Sequence, residues 1–403
     1  MSEPPDVGAQ HAAPLPKQVK LFGAVSLLND FASEMVYPLL PAFVTGVLGG
    51  GAVALGALDG AADAAAALVK LVAGRLADRP SRRGPLIVIG YFVAAAVRPI
   101  IAVTAAAWQV VGLRVVDRLG KGLRTPPRDA LIADVTPEPI RGRAFGLQRG
   151  LDHVGAVIGP LVAWWMLTRH ADVRTVILAS FVPGVIVVLL AIWTVRDGKG
   201  RYGTVRVNTP SEPLPSLTVP YRPLPSYVIA IGVFYLIRMP ETLMILRAQQ
   251  LGIAVALVPL LWAALHVVRS STSFVGGALS DRIGPSRTMW IGWLTYVGLA
   301  AGMAFAASRL AAWLLFLALG VVAGLTESPE RALVSAATGG HRGTAFGTYH
   351  ALTGVAALAG GLLIGVIFQR ASGATAFLVS ALGALGLVIL WSFWTRLHRV
   401  TAP

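Results

Sequence analysis

A series of apolar runs, each long enough to cross a bilayer, constrains this chain more than anything else in it. Residues 85–106 read PLIVIGYFVAAAVRPIIAVTAA, and 374–395 read ATAFLVSALGALGLVILWSFWT. About 20 residues at 1.5 Å rise span the hydrocarbon of a membrane. Of the 403 residues, 55% are hydrophobic and 13% charged, whereas a soluble domain carries roughly 25% charge. Backbone in hydrocarbon must satisfy its own hydrogen bonds, so such runs fold as helices. The sequence therefore predicts an all-α membrane protein.

Twelve spans are expected, at 21–48, 54–77, 85–106, 107–130, 143–168, 173–195, 226–250, 254–279, 287–308, 310–334, 344–369 and 374–396. Residues 1–20 form a polar tail with no signal-peptide pattern, because the first apolar run is too long and lacks a small-residue cleavage site. Residues 196–225, rich in Pro, Ser and Arg, read as an exposed linker. The linker separates one group of six spans, 21–195, from a second at 226–403.

The net charge of +15 would suggest nucleic acid in a soluble protein. Here the basic residues recur between alternate spans, among them Arg79, Arg82, Arg83, Arg141, Arg143, Arg282, Arg287 and Arg342. The intervening loops hold few, chiefly Arg169, Arg174, Arg309 and Arg370. That asymmetry predicts both termini in the cytoplasm of a plasma (bacterial inner) membrane, with no nucleic-acid partner. There are no cysteines, which excludes disulfides and thiolate chemistry. His153, His266 and His350 are isolated, so they are expected as helix-contact hydrogen-bonding groups rather than metal ligands. No metal or cofactor site is expected, and the absence of a nucleotide loop or nucleophile–base spacing argues against an enzyme.

The two groups of spans repeat one another. GRLADRPSRRGPL at 74–86 returns as GALSDRIGPSRTM at 277–289, PRDAL at 127–131 as PERAL at 329–333, and RGRAFG at 141–146 as RGTAFG at 342–347. Three matches in the same order at nearly one offset indicate duplication.

With these motifs in hand, the chain resembles a major facilitator superfamily transporter over nearly its whole length, closest to its proton-antiporter and exporter branch. Gly74, Asp78 and Arg79 match the loop motif between helices 2 and 3 in that family, and Gly277, Asp281 and Arg282 its second copy. The resemblance implies that these residues form a cytoplasmic gate. Gly155, Gly159 and Pro160 resemble the first part of the helix-5 antiporter motif, which implies a hinge. Arg114, Gly120, Pro126 and Asp134 fall in register with the helix-4 motif, which implies that Arg114 points into a cavity. Asp117 and Arg118 depart from that pattern.

Ionised groups at membrane depth are costly unless paired or hydrated, so they mark functional sites. Asp30 and Glu34 lie one helical turn apart on the first span, a spacing at which two carboxylates raise each other's proton affinity. Glu34, then Asp30, are expected to carry a proton. The expected substrate-binding residues are Arg114, Arg118, Asp117, Asp63, Glu241, Arg238, Arg149 and Asp152, with Arg114 and Arg118 meeting an anionic or polar group. The reading is a monomeric secondary transporter, coupling protons to efflux of a small organic solute by alternating access. An importer, a lipid flippase or a metal-ion exporter on the same scaffold, or a receptor that transports nothing, are the alternatives.

Overall fold

The computed structural model describes residues 14–77, 79–136, 141–202, 226–336 and 342–399. Its elements are all helical. In chain order they are α1 (Lys17–Val36), α2 (Ala52–Ala77), α3 (Pro80–Ile101), α4 (Ala107–Val135), α5 (Arg141–Thr168), and α6 in two pieces, Val173–Ala179 and Phe181–Tyr202. From residue 226 onward come α7 in two pieces, Ser226–Ile237 and Glu241–Gln250, then α8 (Val258–Ile283), α9 (Pro285–Phe305), α10 (Arg309–Ala336), α11 (Arg342–Arg370) and α12 (Gly373–Arg399). Ten helices among the described residues are long and apolar enough to cross a membrane. The others, α1 at 20 residues and α4 at 29, are of spanning length but carry clustered charge. Large apolar side chains such as Leu68, Phe92, Trp108, Leu189 and Leu390 face outward, as lipid requires. Charged groups such as Arg98, Arg114, Asp117 and Glu330 are buried inside.

Prolines account for the main departures from unbroken spans. The expected helix at 21–48 is regular only to Val36. A tight turn at Tyr37–Leu39, one α turn at Leu40–Ala42 and a wide turn at Phe43–Val47 follow. Pro38 and Pro41 each remove an N–H and clash with the preceding turn. In the seventh span Pro240 caps the second piece of α7, so Arg238 and Glu241 flank a break in the helix. The freed N–H of Met239 donates to Tyr296 Oη at 2.7 Å. Broken helices of this kind are tolerated where the opened backbone lines a cavity. α6 outruns its expected end at 195 and continues to Tyr202. Hydropathy marks where the membrane ends, and a helix is free to continue into water; Lys17 and Asp197 pair there at 3.2 Å.

The packing repeats. α1 lies on α5 as α7 lies on α11, α2 on α4 as α8 on α10, and α3 on α4 and α6 as α9 on α10 and α12. The N-terminal set, α1–α6, meets the C-terminal set, α7–α12, mainly where α2 crosses α11 and α5 crosses α8. Glycines set the closest approaches. A Cβ on Gly56 would collide with the Gly361 carbonyl, and one on Gly361 with that of Gly56. Without side chains there, the α2 and α11 backbones touch directly. Gly155 and Gly159 do the same for α5, against the carbonyls of Leu27 and Phe31 on α1. α5 itself runs unbroken through Pro160.

Candidate functional site

Between the two sets lies a cavity of about 480 Å³. It runs from Tyr37, Asp59 and Arg114, near the face with the loops at 48–51 and 102–106, to Lys70, Arg128 and Arg149 near the face where α1 begins.

The first-loop face is held shut by contacts between the sets. Asp59 on α2 accepts hydrogen bonds from the Thr242 backbone N–H at 3.1 Å and the Thr242 hydroxyl at 2.8 Å, both on α7. Tyr37 donates to the same carboxylate at 2.9 Å. The Tyr37 ring lies against Trp262 of α8, with centroids 5.0 Å apart. Val53 N–H donates to Gln369 of α11 at 3.3 Å.

One layer deeper stands Glu34. Its carboxylate accepts the Trp262 indole N–H at 2.8 Å and lies 3.8 Å from His266 Nε2. Trp262, His266 and Arg269 fall at i, i+4 and i+7, so one stripe of α8 presents all three to the cavity. Glu241 is the acid of the C-terminal set, pairing with Arg269 at 2.6 Å and Arg238 at 3.2 Å; Glu327 of α10 stands 3.9 Å from Arg269. Behind these, Glu330 is 1% exposed and accepts hydrogen bonds from Tyr349 at 2.7 Å and Tyr235 at 3.4 Å.

The opposite wall is α4. Arg114, Arg118, Lys121, Arg124 and Arg128 all line the cavity, and a spacing of three or four residues keeps them on one face. Their surroundings differ. Arg114 is buried, donates to Asp117 at 3.2 Å and lies 4.5 Å over the Tyr37 ring. Arg124 donates to the Gly90 carbonyl at 3.2 Å, and Arg128 pairs with Asp129 at 2.9 Å while reaching Ser26 at 3.1 Å. Arg118, Lys121 and, on α5, Arg149 have no carboxylate at ion-pair distance among the described residues.

With this cavity in place, comparison with known proteins is informative. The sequence matches the family model of the Major Facilitator Superfamily over residues 22–338 and again over 226–403. The chain belongs to that superfamily. It is therefore a membrane transporter rather than an enzyme, moving a small solute by secondary-active transport. An uncharacterised MFS-type transporter of Methanocaldococcus jannaschii is 28% identical over 389 residues, covering 94% of this chain and 95% of that one. The multidrug resistance protein MdtH of Cronobacter sakazakii is 29% identical over 211 residues, 52% of this chain and 51% of its own length. Among solved structures the fold is similar to a POT family transporter (TM-score 0.75, 12% identity, covering 94% and 96% of the two chains). It is also similar to the nucleoside transporter NupG (TM-score 0.72, 13% identity, covering 94% and 98%).

The cavity gathers most of the residues singled out from sequence. Asp30, Glu34, Asp63, Arg114, Arg118, Arg149, Asp152, Arg238 and Glu241 all line it. Asp117 does not. It is 2% exposed and turned into the N-terminal set, where it accepts from Arg98 at 3.1 Å and from Arg114. His266 also departs from expectation, since neither ring nitrogen has a hydrogen-bond partner. Of the loop-motif residues, Asp78 lies outside the described residues, as does the side chain of Asp281. Arg79 and Arg282 are exposed, and a Cβ on Gly74 or Gly277 would meet open space. Nearby, Arg83 of α3 donates to the Ala77 carbonyl at 2.6 Å and pairs with Asp134 of α4. Sequence reasoning passed over Arg98, Trp262 and Arg269. The polar spacing on α8 was the available signal for the last two.

Proposed function

We propose that this transporter exports a small hydrophilic solute in exchange for protons, by rocking of two six-helix halves joined by the cytoplasmic linker. In this reading the chain spans the membrane twelve times with both termini inside, and the cavity is open to the cytoplasm. The reading rests chiefly on one contact. Glu34 belongs to the N-terminal set, and its carboxylate accepts a hydrogen bond from Trp262 of the C-terminal set. A proton placed on Glu34 weakens that acceptor, so protonation and the equilibrium between conformations become linked. Asp30, one turn away, serves as a second proton site facing the cavity. Export is favoured over import by the names of the MdtH relatives, which match about half of this chain. Within the cavity Arg118, Arg149, Asp63 and Asp152 meet the solute, while Arg114, Arg238 and Glu241 hold the walls in place. The loop residues Gly74, Asp78 and Arg79 with Gly277, Asp281 and Arg282 act as the inner gate, and Gly155, Gly159 and Pro160 as the pivot of α5 against α1.

The test is Glu34→Gln in proteoliposomes, with the solute that most stabilises the purified protein in a thermal screen. The variant is expected to fold and to exchange solute for solute, while a pH gradient no longer drives uphill movement. Gradient-driven transport at the wild-type rate would remove Glu34 from the mechanism.

A further inference from the structure

The charges in the cavity fall into two classes. Those of the C-terminal set are matched internally, Glu241 and Glu327 against Arg269 and Arg238. In the N-terminal set Arg114 and Arg128 are paired, with Asp117 and Asp129, but other charges are not. Arg118, Lys121 and Arg149 lack a carboxylate within 4.0 Å among the described residues, and Asp30 and Asp63 lack a cation within that distance. Both kinds line the same cavity. Opposite charges that share a cleft without closing on one another are held apart by their helices, leaving a gap that only water or a ligand fills. Lys121, Arg149 and Asp63 are exposed to the cavity and Arg118 and Asp30 half-buried, so water solvates them until a ligand offers charge-assisted hydrogen bonds to both kinds at once. A third observation points the same way. His266 is 9% exposed, lines the cavity and has neither ring nitrogen in a hydrogen bond, with the Glu34 carboxylate 3.8 Å from Nε2, so it can still take a polar group. Apolar lining is sparse, amounting to small side chains, Met239, Pro240 and three aromatic rings. A lipophilic drug would bury those charges against hydrocarbon and satisfy none of them.

We infer that the solute is a small zwitterion, with an ammonium facing Asp30 and Asp63 and a strongly anionic group facing Arg118, Lys121 and Arg149. A volume of about 480 Å³ suits a metabolite-sized molecule with its hydration water. This deepens the proposed export function and rests on it for direction only. An ammonium that occupies the carboxylates competes with protons for them, the competition that exchange transport requires.

The experiment is binding to the purified, full-length protein in detergent, read by thermal shift and calorimetry. The zwitterionic probes are O-phosphoethanolamine, O-phosphoserine and glutamate. Each amine is also presented N-acetylated, ethanolamine supplies the amine alone, and tetraphenylphosphonium serves as the lipophilic cation. At least one zwitterion is expected to bind, its N-acetyl form at least tenfold more weakly, with no binding by ethanolamine or tetraphenylphosphonium. Arg118→Gln and Lys121→Gln are each expected to lower zwitterion affinity at least tenfold while the unliganded melting temperature stays near wild type. Asp63→Asn should bring the zwitterion and its N-acetyl form to similar affinity. Binding by none of the zwitterions, equal binding of the N-acetyl forms, or preference for tetraphenylphosphonium each overturns the inference. No gradient is present, so the outcome is independent of proton coupling. If Glu34→Gln transports normally while zwitterions bind, the coupling fails and the substrate class stands. If Glu34→Gln still exchanges solute but is no longer driven by a pH gradient, and no zwitterion binds, the coupling stands and the substrate class fails.

Discussion

Replacing Asp117 by asparagine is expected to destabilise the N-terminal set by about 3–5 kcal/mol, the usual loss when one partner leaves a buried ion cluster. The side chains of Arg98 and Arg114 are 4% and 5% exposed, and Asp117 is the one carboxylate within 4 Å of either among the described residues. Arg98 also donates to the backbone and side-chain oxygens of Asn29, at 3.1 Å each, which ties α3 to α1. Asparagine preserves the volume and one acceptor oxygen but not the charge. Two guanidinium groups then share a low-dielectric pocket, with the Tyr37 ring and amide dipoles as their only compensation. A fall of several degrees in the melting temperature of the purified protein would register the loss. The paired variant Arg98→Gln with Asp117→Asn should recover part of it, because it removes the stranded charge along with its partner. Asp63→Asn, at an exposed position lining the cavity, should leave the melting temperature close to wild type. If Asp117→Asn melted like Asp63→Asn, the cluster would be a hydrated site rather than a dry structural one.

The contrast between Asp117 and Asp63 shows how much of the site could be read in the sequence. Hydropathy located the ten helices that are long and apolar enough to cross a membrane, because hydrocarbon filters composition residue by residue. Helical spacing identified the α4 stripe, since i and i+4 share a face whatever the neighbours are. What spacing left open is which neighbour a face meets. Asp117 sits between Arg114 and Arg118 in the chain, yet it turns toward Arg98 of α3, whereas Arg118 turns to the cavity. That choice depends on how α3 packs against α4, and one arginine near the end of the third span gave no periodic signal. The breaks after Val36 and at Pro240 had a signal in their prolines, but whether a proline kinks or ends a helix depends on the helices around it. The α8 stripe was legible in principle. Trp262 reads as apolar in a composition scan, and only its indole N–H, aimed at Glu34, makes it part of the site.

Placing a side chain on Gly361 should shift the conformational equilibrium, and this is the larger functional effect. A Cβ there would overlap the Gly56 carbonyl, so Gly361→Val cannot be absorbed by a rotamer change: the atom in the way is backbone. The crossing of α2 and α11 lies toward the same face as the Asp59–Thr242 and Val53–Gln369 contacts, so separating the helices loosens those as well. Overpacking of this kind costs typically 1–3 kcal/mol, which corresponds to a population change of about 5- to 150-fold between two conformations. The cost falls only on the conformation closed at this face. A conformation in which the two sets part here carries none of it, so the variant is expected to populate that state while keeping its fold. The native chain has no cysteine, which makes a single reporter straightforward. Leu55 on α2 is fully buried in this conformation, beneath Thr242, whose hydroxyl donates to the Leu55 carbonyl. Labelling of Leu55→Cys by a water-soluble maleimide should be slow in the otherwise native protein and at least fivefold faster with Gly361→Val. Faster labelling together with normal melting would establish that the glycine contact sets the balance between conformations. Unchanged labelling would mean that the face is held by its hydrogen bonds and rings, and that the helices adjust around the new side chain without parting.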